Sequence, residues 1–116
     1  RRVVVTGDAR QLAELDRLLW TFDPGEFIPH ARLRTGETPP ERLAPTPLWL
    51  ADAPADAGAC DVLVNLGPGL LAHAALPART IELVDTTPED VAAGRQRWRQ
   101  HVAAGRTPVN HAQTAA

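Results

Sequence analysis

The sequence predicts an α/β fold: a single Rossmann-like domain with a mostly parallel sheet, flanked by helices and lacking a nucleotide-binding motif. Three observations predict it. Short β-branched or apolar runs recur at Arg2–Thr6, Pro47–Ala51, Asp61–Leu66 and Arg79–Val84. Two longer stretches, residues 8–20 and 87–104, carry helical signals. The run RVVVT is apolar at consecutive positions, the pattern of a strand buried on both faces of a parallel sheet.

The elements follow in order. After the first strand, Gly7 turns the chain and Asp8 caps a helix that runs to about Trp20. Leu12, Leu15, Leu18 and Leu19 form its apolar stripe. Pro24-Gly25 makes a turn. Residues 31–46 hold Gly36, Pro39, Pro40 and Pro45 among scattered charges, which predicts a long loop. PLWLA, 47–51, is a short strand, and 53–59 is a second loop. The strand 61–66 ends on the Gly-Pro-Gly turn at 67–69, and Leu70–Ala75 make one helical turn. The last strand is RTIELV, 79–84. Thr87-Pro88-Glu89-Asp90 then places a capping threonine before a proline at the first helical position, with acids in the first turn. This helix runs to about Ala104, where Gly105 ends it in a left-handed conformation. Residues 1–110 form one domain and 111–116 a frayed tail. The chain opens inside a strand without a methionine, so an N-terminal segment is expected to be missing.

Composition narrows the function. With 116 residues, 44% hydrophobic and 22% charged, the chain suits one water-soluble core, and no apolar run reaches the roughly 20 residues of a membrane span. The single cysteine, Cys60, rules out an internal disulfide and leaves a reducing cytoplasm as the default. The net charge is −2, yet no acid follows Asp90 while Arg95, Arg97, Arg99 and Arg106 do. This local cationic zone suits an anionic partner, or is a solvated helix face.

Signals for catalysis are absent. VVVTGDARQL contains neither G-x-G-x-x-G nor G-x-x-x-x-G-K-[ST], and Pro68 removes a backbone donor from the other glycine turn. Histidines 30, 73, 101 and 111 form no metal-ligand spacing with one another or with Cys60. The pair Glu89-Asp90 is explained by its place at a helix start. No catalytic residue, metal or cofactor is expected.

Two constellations remain. Trp20, Phe27, Pro29 and His30 surround an acidic Asp-Pro-Gly turn; they form either a core corner or a protein-docking edge, and aromatics are common anchors in the latter. In the last helix, Val91, Arg95, Trp98 and Val102 share one face, with Arg99 a turn beyond Arg95. Arginine grips a carboxylate bidentately and tryptophan accepts an apolar side chain. Alternatively Trp98 packs on the sheet while the arginines snorkel outward.

These segments together resemble the chi subunit of the bacterial DNA polymerase III holoenzyme. The resemblance rests on LDRLLW (15–20), FIPH (27–30), LVNL (63–66), RTIELVD (79–85) and AAGRQRWR (92–99), in order over nearly the whole chain. It departs from the family at Gly94, where a better helix former is usual, and at His101, where tyrosine is common. The family usually begins with a further strand and helix. The resemblance implies a non-catalytic, cytoplasmic replication subunit that bridges the clamp loader, through the psi subunit, to the acidic C-terminal tail of single-stranded DNA-binding protein. It implies tail binding by Val91, Arg95, Trp98 and Arg99. It implies psi docking at Trp20, Phe27, Pro29 and His30, an edge that a helicase shares in some bacteria. His30 is expected to hold a turn or a rim contact, and DNA to be met only indirectly. The competing readings are a small nucleotide-binding or phosphoryl-handling α/β enzyme, and direct nucleic-acid binding through the C-terminal arginines.

Overall fold

The computed structural model describes residues 2–21, 29–38, 41–43, 45–53, 59–67, 69, 76–77 and 79–110. Along the chain these form β1 (Val3–Thr6), α1 (Ala9–Thr21), β2 (His30–Leu33), a short 3-10 helix at Glu41–Leu43, β3 (Leu48–Ala51), β4 (Val62–Asn65), β5 (Arg79–Glu82) and α2 (Pro88–Ala103). The five strands make one sheet in the order β2-β3-β1-β4-β5. Every pairing is parallel.

The apolar run VVVT occupies the centre because it is buried on both faces. Val4 and Val5 are both buried, one toward each face of the sheet. β1 lies in register with β3 on one side and β4 on the other, Val4 opposite Trp49 and Leu63. The α/β reading of the sequence therefore holds. The helix expected to end near Trp20 ends at Thr21, and the one expected to reach Ala104 ends at Ala103. The turn at Pro24-Gly25, the helical turn at Leu70–Ala75 and the tail from 111 lie outside the described residues.

One expectation is corrected. The long loop read across 31–46 begins with a strand, β2, which pairs with β3 through His30–Leu48 to Leu33–Ala51. His-Ala-Arg-Leu contains no β-branched residue, so local propensity gives no strand signal. Register with β3 and burial of Ala31 and Leu33 make it one. Beyond it, Glu37 N–H closes a turn onto the Arg34 carbonyl at 3.0 Å.

The two faces are covered differently. Leu12 of α1 packs with Val5 and Leu50, joined by Leu15, Leu19, Val64 and Leu66. On the other face Val4, Ala31, Leu33, Trp49, Ala51 and Leu63 cluster, covered by Leu43, Cys60 and Leu76. Topology explains the division. The chain leaves β1 through α1 for the β2 edge, then steps back through β3 and across to β4 and β5. Right-handed crossovers place connections running in opposite directions on opposite faces.

Polar contacts tie the strand ends. Arg32 donates to the Leu33 and Leu50 carbonyls at 2.7 and 3.2 Å and pairs with Asp52 at 2.5 Å. Asp52 also accepts from Thr35 N–H at 3.0 Å. That amide, aided by Arg32 and opposed by partial burial, holds the Asp52 carboxyl below its usual range.

Two tests follow from the packing. Leu12→Ala should cost about 2–5 kcal/mol in urea unfolding, because Leu12 is fully enclosed. Leu18→Ala, on the exposed side of the same helix, should stay within about 0.5 kcal/mol. The lowered Asp52 pKa makes its contribution to stability present above the unfolded value of about 4 and lost as pH falls through the lower folded value. Asp52→Asn should therefore destabilise the protein at pH 7. The deficit should shrink on acidification when unfolding free energy is followed from pH 7 to pH 2.

Candidate functional site

α2 is well bounded. Thr87, in an extended conformation, accepts from Asp90 N–H at 3.3 Å, and Pro88 opens the first turn. Gly105, at φ 84°, reverses the chain after the cap residue Ala104. Between these ends the helix buries two polar residues, Arg97 and His101, which lie one turn apart. A helix that hides an arginine and displays a tryptophan reverses the usual amphipathic arrangement.

The buried side explains this. Arg97 is only 1% exposed. Its Nε donates to Glu82 Oε2 at 2.7 Å and its Nη2 to the Leu83 carbonyl at 2.8 Å. His101 Nε2 lies 3.2 Å from Glu82 Oε1. Asn65, opposite Glu82 in the β4–β5 register, donates to Glu82 Oε2 at 2.9 Å and to the Gly69 carbonyl at 2.9 Å. Its Oδ1 accepts from Gly67 N–H at 2.9 Å. One carboxylate thus joins two strands to the last helix. Gly67 is required on two counts: its φ is 75°, and a Cβ there would stand 2.6 Å from Arg97 Nη1.

The opposite side presents the candidate binding face. Arg95, Trp98, Arg99 and Val102 are exposed, Trp98 by 44%, while Val91 is half-buried. At this exposure Trp98 is not enclosed against the sheet. Gly94, which seemed only to weaken the helix, has a packing role. A Cβ there would meet Val84 Cγ2 at 2.7 Å, so glycine lets the segment after β5 lie close against α2. Val84, about half exposed, thereby adds an apolar surface one turn before Trp98.

The second constellation sits across the sheet. Trp20 is 58% exposed at the end of α1, so it is not a core residue. Its ring centroid lies 4.7 Å from that of His30, with the planes tilted by 56°. His30, expected to hold a turn or a rim contact, has a side chain only 1% exposed, with Nε2 2.8 Å from Asp16 Oδ1. His30, the first residue of β2, pins that strand to α1, and Trp20 rests on it. Pro29 is exposed just before the strand, and Phe27 lies outside the described residues.

The N-terminus of α1, after the first strand, carries its own side-chain cap. Asp8 Oδ1 accepts from Gln11 N–H at 2.8 Å, and Gln11 Oε1 accepts from Asp8 N–H at 2.9 Å. This reciprocal capping occupies the N-terminus of α1 where an anion would sit. Among the described residues, no three His, Cys, Asp or Glu side chains are grouped to hold a metal, and no helix is long and apolar enough to cross a membrane. Burial raises the Cys60 thiol pKa, with Asp61 adding to it against Arg2, the reverse of what a thiolate nucleophile needs.

The sequence reading missed Asn65, Glu82 and Arg97 as a group. A signal was present: Asn65 and Glu82 end their strands with polar residues at matching offsets, and Arg97 stands four residues before His101. A polar residue in a strand buried on both faces demands a partner.

The chain matches the family described as DNA polymerase III chi subunit, HolC, over residues 1–108. No match is found among curated proteins. The match spans nearly the whole chain, which therefore belongs to the chi family, accessory subunits of DNA polymerase III in replication.

The buried pair generates a prediction. Arg97→Ala should cost about 3–5 kcal/mol in chemical unfolding, because it leaves Glu82 without its nearest cation. The double change Arg97→Met with Glu82→Gln should recover much of that loss, since it removes both charges while keeping volume.

Proposed function

We propose that this chi-family subunit bridges two partners without catalysing a reaction. One partner is the acidic C-terminal tail of single-stranded DNA-binding protein, taken by α2; the other is the psi subunit of the clamp loader, taken at the end of α1. The observation that carries this reading is placement. α2 is anchored to β5 and Trp20 stands beside β2, the opposite edges of the five-stranded sheet. Four strand spacings separate those edges, roughly 19 Å, so both faces are open to occupation together.

Each face suits its partner. On α2, Arg95 and Arg99 are exposed one turn apart and pair with carboxylates of the tail. Trp98 and Val91 take its apolar tip, with Val84 beside them. At the other edge Trp20 rests on the buried His30 side chain, which Asp16 holds, so little side-chain freedom is lost on docking. Pro29 and Phe27 complete this docking edge, which a helicase partner also uses. His30 contributes by holding Trp20, not by contact. DNA is then met through the tail, and the subunit works in the cytoplasm with the replisome.

Two binding experiments test the reading. Titration calorimetry with a peptide from the tail should give micromolar affinity that falls with salt, because the arginine contribution is screened. Arg95→Ala or Trp98→Ala should weaken it at least tenfold, about 1.4 kcal/mol or more, with Trp20→Ala without effect. Co-purification with psi should show the reverse dependence: lost with Trp20→Ala, retained with Arg95→Ala. Equal loss of both partners in a folded single variant would defeat the two-edge arrangement. Tail binding replaced by tight binding to single-stranded DNA would favour direct nucleic-acid contact instead.

A further inference from the structure

An open cleft of about 650 Å³ lies at the carboxyl ends of β4 and β5, between the start of α1 and the start of α2. Its floor is Leu66, Leu83 and Val84, and its rim carries Asp85, Glu89 and Asp90. We infer that this cleft is a docking site for a basic peptide segment of a partner protein, one in which arginine or lysine flanks apolar side chains. It adjoins the arginine face of α2 at Val84, which borders both.

Three observations converge. In open α/β sheets, ligands occupy the crevice outside the carboxyl ends of the strands. Here the device that would draw a phosphate is cancelled: the Asp8–Gln11 cap fills the helix terminus. A Cβ on Gly7 would meet Gln11 Oε1 at 2.7 Å and Leu66 Cβ at 3.0 Å, so the backbone there is already closely packed. Second, the floor is apolar and uncovered, with Leu83 and Val84 each about half exposed although they directly follow β5. Third, among the described residues no cationic side chain lines the cleft, while three acids do. Asp90 accepts the Asp85 amide and Asp85 Oδ1 accepts the Thr86 amide at 2.7 Å, which fixes two of those carboxylates in place. A preformed apolar floor inside a fixed acidic rim complements a cation carried on an aliphatic stem, as in arginine or lysine.

α2 is thus electrically divided. Its first turn and the loop before it are acidic, while its later turns are basic. The two ends select opposite peptides, and the acidic rim offers the carboxylates of a tail no charge pairing.

The test is a heteronuclear NMR titration of the full chain with the peptide acetyl-Arg-Leu-Leu-Arg-amide, beside acetyl-Glu-Leu-Leu-Glu-amide and ATP. The basic peptide should shift amides within 83–90, with an affinity that falls as salt rises. Glu89→Lys combined with Asp85→Asn should weaken it at least tenfold. Leu83→Ser, at an exposed position, should weaken it with the charges intact. Spectral dispersion of each variant checks that it is folded. No shift at 83–90 with the basic peptide, equal shifts with the acidic peptide, or shifts there with ATP would each overturn the assignment.

Discussion

The Glu82 carboxylate is the contact on which the binding architecture depends. It receives Arg97, His101 and Asn65 at once, and through them it holds α2 against β4 and β5. Few apolar residues attach this helix. Its buried positions are an arginine and a histidine, so hydrophobic burial alone would not fix its rotation. A directional set of charge-assisted hydrogen bonds does, because it is satisfied at one rotation of the helix only. That rotation turns Trp98, Arg95 and Arg99 outward.

The surrounding packing serves the same end. Gly67 admits the guanidinium of Arg97 and Gly94 admits Val84. Each glycine weakens local structure slightly and is kept where a side chain would force the helix away. At the far edge a smaller version of the device operates. Asp16 holds His30, His30 supports Trp20, and an aromatic ring is displayed at a set angle on a buried base. Both display residues are tryptophans on helices that a polar pair ties to the sheet, Asp16–His30 for α1 and Glu82–Arg97 for α2. Such placement gives large contact area with little conformational loss on binding.

Much of this was legible in the chain. The VVVT run dictated a central strand, because only a two-sided apolar environment accommodates it. Asp8 and Thr87 marked helix starts through side-chain chemistry that acts within one turn. The missing glycine pattern after β1 left no phosphate cradle to read, and α1 begins on the Asp8–Gln11 cap. The outward face of α2 was readable as a spacing, since residues three and four apart must share a side.

What the sequence determined by itself was local: which segments extend, which coil, where helices are capped, and which side chains travel together on one helix face. These follow from interactions within a few residues. The tertiary structure alone decided that His30–Leu33 is a strand, that Arg97 rather than Trp98 turns inward, and that His30 is hidden beneath Trp20. Each depends on partners 14 to 18 residues away, Asp16 for His30, Glu82 for Arg97 and Leu48–Ala51 for β2. Burying a charge or pairing a short strand is decided by what stands opposite, and no local pattern states what that will be.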